Sequence, residues 1–158
     1  MYTDAHLHPA DYSDCCAEAG IPELFAANTA LCCSAHSHTE YARHRMLLER
    51  HCTFGAAHSS AQVPQTPPII FSFGIHPQNP VMDEADFLYH LLETRQIQAI
   101  GECGFDLFNE TYKQTLPAQQ KVWQMQVQWA QKFLVPIVIH CRKALPLLFA
   151  DVASLKKI

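Results

Sequence analysis

The sequence has no basic tail and no basic stripe, and its 158 residues carry a formal net charge of -4. Neutralising duplex phosphates requires clustered lysine and arginine, so tight non-specific binding to double-stranded nucleic acid is not expected. No apolar run reaches the roughly 18 residues of a membrane span. The start, Met1-Tyr-Thr-Asp4, lacks the charged and apolar regions of a signal peptide. We therefore expect a cytoplasmic protein without membrane contact.

Several motifs are also missing. The chain has seven cysteines, an odd number, with Cys15-Cys16 and Cys32-Cys33 adjacent and no C-x-x-C. This spacing indicates neither a zinc ribbon nor a disulfide framework, so most thiols are expected to be free and buried. The absence of G-x-G-x-x-G and of a P-loop argues against a nucleotide-binding doubly wound sheet.

What the sequence does contain is a set of strand-like apolar runs that end in metal-type ligands. The run Gln98-Ala-Ile-Gly-Glu-Cys-Gly-Phe-Asp106 sets Glu102 between two glycines. A parallel strand can deliver a carboxylate to a site at its carboxyl end in this way, because glycine lets the backbone pass closely. Alone, the pattern fits an ordinary turn equally well. Three further runs end in histidine: Asp4-Ala-His6-Leu-His8, Phe71-Ser-Phe-Gly-Ile-His76 and Pro136-Ile-Val-Ile-His140.

The strand-end residues have the spacing of ligands. His6 and His8 are two apart in a strand, so both imidazoles project from one face and can reach one cation, although a pair of surface histidines is the alternative. His76 is held extended by the proline that follows it. Arg142 lies two residues after His140, so its side chain is expected to project toward the same site at the strand ends. The alternative is a structural arginine that pairs with a helix terminus. The other histidines are predicted to be solvated or partly packed and not ligands: His36, His38, His44, His51, His58 and His90.

Helices are predicted between the strands. Ser37 and Glu40 have capping-box spacing at the start of a helix that is expected to reach about Arg50. A short strand is expected over 52–57. A later helix over about 117–134 has a predicted buried face that consists of Trp123, Val127, Ala130 and Leu134.

The alternation of strands and helices predicts a parallel α/β fold. With 49% hydrophobic and 16% charged residues the chain can fill one core, so residues 1–158 are expected to form a single partial barrel domain. Polar groups at the carboxyl ends of strands are typical of a TIM-type (β/α) barrel. The expected fold is an incomplete barrel of about five βα units.

Taken in order, four motifs resemble the TatD-type metal-dependent deoxyribonucleases. The helix that begins near Gln119 also resembles the segment before that family's fifth strand, and the resemblance spans essentially the whole chain. The motifs are Asp4-Ala-His6-Leu-His8, Gly74-Ile-His76-Pro77, Gly101-Glu102-Cys-Gly104-Phe-Asp106 and Pro136-Ile-Val-Ile-His140-Cys-Arg142.

The resemblance implies a TIM-type barrel of the metal-dependent hydrolase kind. It also implies that the protein cleaves phosphodiester bonds with two divalent metal ions, often from a 3' end of DNA. His6 and His8 would hold one ion, His140 the second, and Glu102 would bridge both as the catalytic carboxylate. Imidazole and carboxylate ligands suit Mg, Mn or Zn, and such ions activate water and stabilise the leaving oxygen.

The resemblance also implies that His76 and Arg142 contact the phosphate of the substrate, which would be DNA or a small phosphodiester. Lys143 stands where the family usually has an acidic residue. The family continues with strands that bring another histidine and an aspartate expected to position or deprotonate water, and a full barrel needs about 250 residues. We therefore expect weak metal binding and poor turnover. A second copy or a further C-terminal segment is expected to cover the open sheet edges.

Two other functions stay open on the sequence alone. A related amidohydrolase acting on a cyclic amide or ester often uses a carboxylated lysine where Glu102 stands, and this difference favours the phosphodiesterase. A catalytically inactive, metal-free scaffold would keep the fold and bind a partner through its exposed sheet edges.

Overall fold

The computed structural model of the protein describes residues 2–9, 11, 28–54 and 68–158. Within these ranges the chain alternates between strands and helices, and no described helix has the length and hydrophobicity needed to cross a membrane. The strands are β1 (Tyr2–Leu7), β2 (Asn28–Ala35), β3 (Ile69–Phe73), β4 (Ala99–Asp106) and β5 (Ile137–Arg142). The helices are α1 (His38–Phe54), α2 (Ala85–Glu93), α3 (Glu110–Gln114), α4 (Leu116–Phe133), α5 (Leu145–Ala150) and α6 (Val152–Leu155), with a 3-10 turn at Met82–Glu84.

The strands follow one another in chain order. β1 pairs with β2, β3 with β4 and β4 with β5, in each case in parallel, and the strand order is β1-β2-β3-β4-β5. Parallel neighbours cannot be joined by a tight hairpin, so each connection must cross over. Helices α1, α2 and α4 lie in these crossovers. The predicted parallel α/β class is confirmed.

The chain divides into two compact units, Met1–Ile70 and Phe71–Ile158. In the first unit Leu7 of β1 is paired with Cys33 of β2. The backbone N–H of Leu31 donates to the carbonyl oxygen of Pro68 at 3.0 Å. Helix α1 packs on β2. The core of the first unit contains Leu31, Cys33, Tyr41, Leu47 and Leu48. Because the chain divides into two units, a single domain over 1–158 stays a prediction.

In the second unit β4 is the central strand, because it is paired on both sides and α4 packs against it. Every residue of β4 is buried except Glu102, which is half-buried. A strand covered on both faces has a nearly continuous apolar sequence, and for this reason the run is recognisable without a structure. The buried apolar residues of this unit include Phe73, Leu88, Leu91, Ile100, Phe105, Trp123 and Val127.

Two predictions about these elements are wrong. Leu134, predicted on the buried face of α4, is 80% exposed. The helix ends at Phe133, and Leu134 takes the left-handed backbone conformation, with φ 55°, that caps it. The strand predicted over 52–57 is not formed at 52–54, which belong to the end of α1; residues 55–57 lie outside the described part.

The cysteines of the described part agree with the prediction of free thiols. Cys32, Cys33 and Cys103 are free and buried, whereas Cys141 is free and exposed. Cys141 lies on β5, a strand whose residues are half-buried or exposed, so burial does not extend to every thiol.

Candidate metal centre

Three of the predicted site residues meet in the second unit. Glu102 lies on β4, His140 lies on β5, and His76 follows the end of β3 by three residues. Nε2 of His76 is 3.1 Å from Nδ1 of His140. The Glu102 carboxylate is 3.7 Å from Nε2 of His76 and 3.5 Å from Nδ1 of His140. Two imidazole nitrogens and a carboxylate therefore face one another at the strand ends.

Glycine permits this close approach of β4 and β5. Gly101 and Gly104 have φ values of 152° and 143°. An added Cβ at Gly101 would lie 2.5 Å from the carbonyl oxygen of Val138, and one at Gly104 would overlap the carbonyl oxygen of His140. No larger residue fits at either position without moving a backbone. The role predicted for glycine on either side of Glu102 is confirmed.

Asp106 organises the hydrogen bonds around His140. Its Oδ2 accepts a hydrogen bond from Nε2 of Gln78 at 2.8 Å and lies 3.1 Å from Nε2 of His140. Its Oδ1 accepts from the backbone N–H of Phe108 at 2.8 Å. The Asp106 side chain is fully buried. This carboxylate is therefore held in place from three directions.

These contacts give both histidines a defined tautomer. The backbone N–H of Gln78 donates to Nδ1 of His76 at 3.2 Å, so a neutral His76 carries its proton on Nε2 and donates it to Nδ1 of His140. His140 then carries its own proton on Nε2, where Asp106 accepts it. The Nδ1 lone pair of His140 is thereby directed toward Glu102 and His76.

The same contacts set the charges of the cluster. The protonated form of His140 can donate from Nδ1 to Glu102, and this contact raises the pKa of His140; Asp106 acts in the same direction, against the effect of burial. Burial raises the pKa of Asp106, but hydrogen bonds from Gln78, the Phe108 N–H and His140 outweigh burial and lower it. Asp106 is therefore an anionic carboxylate at neutral pH.

Arg142 lies beside the same carboxylate. One of its guanidinium nitrogens is 3.8 Å from Oδ2 of Asp106, and its guanidinium carbon is 4.0 Å from the ring centroid of Phe108. Nζ of Lys143 is 4.8 Å from the same ring. Phe108 is 49% exposed, so an aromatic face and two cations are displayed next to the cluster.

The first unit holds the other two predicted ligands. The rings of His6 and His8 meet edge to face with centroids 4.8 Å apart, which agrees with two residues on one face of a strand. Nδ1 of His6 is 2.8 Å from Oγ of Ser34, and Nδ1 of His8 is 2.7 Å from Oε1 of Glu40. Metal-ligating histidines commonly have their second nitrogen held in this way.

Glu40 reaches His8 because of the way α1 begins. Its backbone N–H donates to Oγ of Ser37 at 3.2 Å, as the capping box predicts. Its carboxylate accepts from the backbone N–H of His36 at 2.7 Å instead of returning to Ser37. Burial raises the pKa of Glu40, but the hydrogen bonds from His8 and from the His36 N–H outweigh burial and lower it to about 2. Glu40 is thus a carboxylate beside a predicted ligand.

The prediction for His44 is wrong. The sequence predicts a solvated or partly packed histidine, yet the His44 side chain is 0% exposed, with Nε2 3.8 Å from Oε1 of Glu40. Helix α1 packs on β2 and carries this residue inward. His36 is half-buried, and His38 and His90 are exposed, in agreement with the prediction. The side chains of the remaining two, His51 and His58, lie outside the described part.

The predicted site residues thus form one group in each unit: His6 with His8, and His76 with Glu102, His140 and Arg142. Sequence reasoning missed Glu40, His44, Gln78 and Asp106. The spacing of Asp106, four residues after Glu102 in a strand, was a usable signal, as was the helical spacing of Glu40 and His44.

The donor set fits a divalent cation. In the second unit Nδ1 of His140 lies 3.5 Å from Oε1 of Glu102, and Nε2 of His76 lies 3.7 Å from Oε2 of the same carboxylate. Such nitrogen and oxygen ligands suit Zn, Mn or Mg. By its fold and donor set, the chain is of the class of parallel α/β proteins that carry a metal-type cluster at the carboxyl ends of the strands.

Comparison with known proteins defines the family. The model of the family described as TatD related DNase matches residues 3–156, and the chain belongs to this family. The crystal structure of YjjV, a TatD homolog from Escherichia coli K12, superposes with a TM-score of 0.69 at 21% sequence identity, over 96% of this chain and 55% of that chain. The similarity confirms the expected barrel-type fold, and the chain spans about half the length of that structure.

Curated relatives share a shorter segment. The protein named 3'-5' ssDNA/RNA exonuclease TatD from Pantoea sp. (strain At-9b) is 35% identical over 74 residues, which are 45% of this chain and 28% of the relative. The protein of the same name from Salmonella typhimurium is 36% identical over 76 residues, again 45% of this chain and 28% of the relative. Less than a third of each relative is therefore matched.

Proposed function

We propose that the protein hydrolyses phosphodiester bonds with divalent metal, as a nuclease that shortens single-stranded DNA or RNA from the 3' end. The observation that carries the proposal is the directed hydrogen-bond chain from Gln78 through His76 and His140 to Asp106. It turns a histidine lone pair toward the Glu102 carboxylate, as a ligand pair requires. The names of the curated relatives supply the substrate and the direction.

Four residues would hold two ions. His6 and His8 would bind one, and Glu102 and His140 would bind the second. When bound, Mg, Mn or Zn supplies the Lewis acidity that activates water and stabilises charge on the phosphoryl oxygens. Glu102 is the one residue of β4 that is not buried, and its side chain keeps 17% of its exposure.

Asp106 is a positioning residue in this scheme. By accepting the Nε2–H of His140 it selects the neutral tautomer whose Nδ1 carries the lone pair, and this nitrogen faces Glu102. Gln78 and the Phe108 N–H hold Asp106 itself in place. Partners of this kind raise the basicity of a ligand and fix its orientation.

His76, Arg142 and Phe108 would meet the substrate. If Nδ1 of His140 binds a metal ion, it can no longer accept the Nε2–H of His76. That N–H would then need another acceptor, and a phosphate oxygen of the substrate would provide one. The chain as a whole carries a net charge of -4 and would not attract a phosphate. Arg142 and Lys143 would supply the positive charge locally. The exposed ring of Phe108 offers a stacking surface for an unpaired base, a common mode of single-strand binding.

A directional assay tests the function. Single-stranded DNA labelled at its 5' end is incubated with the protein and Mn²⁺, and products are separated by length. We expect slow shortening from the 3' end that is lost in EDTA and in Glu102→Gln. Glu110→Gln is the matched control, since Glu110 lies on α3 in an exposed pair with Lys113, and it should retain the activity.

Binding of Mn²⁺, measured by calorimetry on the same samples, separates the alternatives. Absence of both Mn²⁺ binding and cleavage would favour the metal-free scaffold, and activity that persists in Glu102→Gln would contradict the assigned role. The amidohydrolase is not favoured, because the chain matches the nuclease family and has a glutamate, Glu102, where such amidohydrolases often use a carboxylated lysine. A cytoplasmic location stays a prediction.

A further inference from the structure

His44 is a buried polar residue that the proposed nuclease centre does not use. Its side chain is 0% exposed, and within the part of the chain that the structure describes neither ring nitrogen has a hydrogen-bond partner. Buried polar groups in folded proteins are almost always satisfied by protein, water or an ion. An orphaned imidazole in the interior therefore points to a bound species.

The ring of His44 is aimed at a carboxylate that a second histidine already contacts. Glu40 and His44 are four residues apart on α1 and share one face of the helix. Nε2 of His44 is 3.8 Å from Oε1 of Glu40, too long for a hydrogen bond, while Nδ1 of His8 is 2.7 Å from the same oxygen. One donor atom from each of the three residues lies within 4.8 Å of the others.

The surroundings of the two helix residues favour a cation. His44 is enclosed in the interior, where burial lowers its pKa to about 4, so its ring is neutral and carries a lone pair at neutral pH. Oε2 of Glu40 accepts the backbone N–H of His36 at 2.7 Å, and Oε1 lies between His8 and His44. Two imidazoles and one carboxylate are an established ligand set for zinc.

We propose that His8, Glu40 and His44 form a cation site of their own in the first unit, which takes Zn²⁺ or a similar divalent transition metal. The cation would give His44 the partner that the described residues do not provide. All three ligands come from the residue after β1 and the first turns of α1, so the site needs neither Glu102 nor His140.

His8 is shared with the proposed nuclease centre. A neutral imidazole has one lone pair, so His8 cannot bind one cation through Nδ1 and another through Nε2 at the same time. The two uses of His8 therefore exclude each other. For this reason the test is made in a chain whose nuclease centre has been disabled by Glu102→Gln and His140→Gln, called the parent below.

Zn²⁺ bound per chain is counted by equilibrium dialysis and atomic absorption. We expect the parent to retain one tightly bound Zn²⁺ and the parent with His44→Leu to lose it. His90→Leu, which changes an exposed histidine on α2, should keep the ion. A parent that binds no Zn²⁺, or an equal count with and without His44, would overturn the proposal.

Thermal unfolding separates lost binding from lost folding. In EDTA, His44→Leu should melt at or above the temperature of the parent, because an apolar side chain replaces an unsatisfied polar one. Added Zn²⁺ should raise the melting temperature of the parent and leave that of the variant unchanged. If the leucine variant does not fold, Glu40→Gln decides instead: loss of the Zn²⁺ shift supports the site, and an undiminished shift refutes it.

Discussion

Asp106 illustrates how one buried carboxylate can set the chemistry of its neighbours. It accepts from Gln78, from the Phe108 N–H and from His140, and in doing so it determines which nitrogen of His140 carries the proton. In the first unit Glu40 holds Nδ1 of His8 in a similar way. In both units a carboxylate outside the predicted ligand set orients an imidazole within it.

Replacing Asp106 with asparagine is expected to weaken Mn²⁺ binding by about 10- to 100-fold. The amide oxygen can still accept from the Phe108 N–H, but the amide NH2 then faces His140 and favours the tautomer with its proton on Nδ1. His140 would present an N–H to Glu102 in place of a lone pair. Isothermal titration calorimetry measures the affinity, and NMR of the ring nitrogens reports the tautomer.

Asp151→Asn is the matched control for this prediction. Asp151 accepts a hydrogen bond from Nε1 of Trp123 at 2.7 Å, and an amide oxygen can accept the same bond. The control removes the same charge from the same unit without touching the cluster, so its Mn²⁺ affinity should equal that of the wild type. If the wild type, Asp106→Asn and Asp151→Asn all bind Mn²⁺ with equal affinity, Asp106 does not set the tautomer of His140.

His44 leads to a prediction about pH in the absence of metal. Its pKa of about 4 in the folded chain lies below the ordinary 6.5. Above about pH 6.5 the ring is neutral in both states; as the pH falls, the unfolded state takes up the proton first, so stability is lost between about 6.5 and 4. From about pH 7.5 to 5 this amounts to about 2 kcal/mol. Urea unfolding in EDTA measures the loss.

The variant His44→Leu should lack this part of the pH dependence, whereas His90→Leu should keep it. His90 is exposed on α2, so its removal leaves the buried group in place. A wild type and a leucine variant with the same change in unfolding free energy over this interval would contradict the burial of a neutral His44.

At the scale of single residues, the sequence predicts ligand-type groups better than the groups that orient them. His6, His8, Glu102 and His140 are recognisable because each stands at the end of an apolar run. The importance of Asp106 depends on Gln78 and the Phe108 N–H, which reach it from separate loops. No local pattern contains such a contact.

At the scale of elements, the periodicity of the sequence does not by itself predict which face of a helix is buried. Helix α1 is polar along most of its length, and its buried face at His44 depends on how it packs on β2. The same helix continues through Phe54, where the residues favour a strand. Extension of an existing helix outweighs such weak local preferences. The continuous apolar runs of β4 and β5, by contrast, identify those strands from sequence.

Gly104 supports a prediction that belongs to the pairing of β4 and β5. Gly104 is paired with His140, and a Cβ at this position would overlap the carbonyl oxygen of His140. The backbone of Gly104 also has a φ of 143°, which other residues rarely adopt. Gly104→Ala is therefore expected to lower the free energy of unfolding by on the order of 3 kcal/mol. The displaced His140 should also weaken Mn²⁺ binding. Urea unfolding and calorimetry measure the two effects.

Gln124→Ala provides the comparison for this change. Gln124 is exposed on α4, where a substitution to alanine should alter stability by no more than about 0.5 kcal/mol. If Gly104→Ala unfolds at the same urea concentration as this control, the close approach of β4 and β5 does not require glycine.

At the scale of the whole molecule, β5 is an edge strand with exposed apolar side chains on it and after it. It stands last in the strand order, next to β4, and none of its residues is fully buried. Apolar side chains on and after it are exposed, among them Ile139 at 42%, Leu145 at 53% and Phe149 at 66%. An exposed edge strand with apolar neighbours is a ready surface for pairing with another chain.

We therefore predict that the 158-residue chain forms a homodimer through β5, with a mass of about 36 kDa, twice 17.9 kDa. Size-exclusion chromatography with light scattering over a dilution series measures the mass. Ile139→Lys should produce the monomer, because a charged residue on an edge strand opposes pairing. Val81→Lys, at a residue that is 44% exposed and lies before the 3-10 turn, should remain dimeric. A wild type that is monomeric at every concentration would mean that β5 is covered by something other than a second copy.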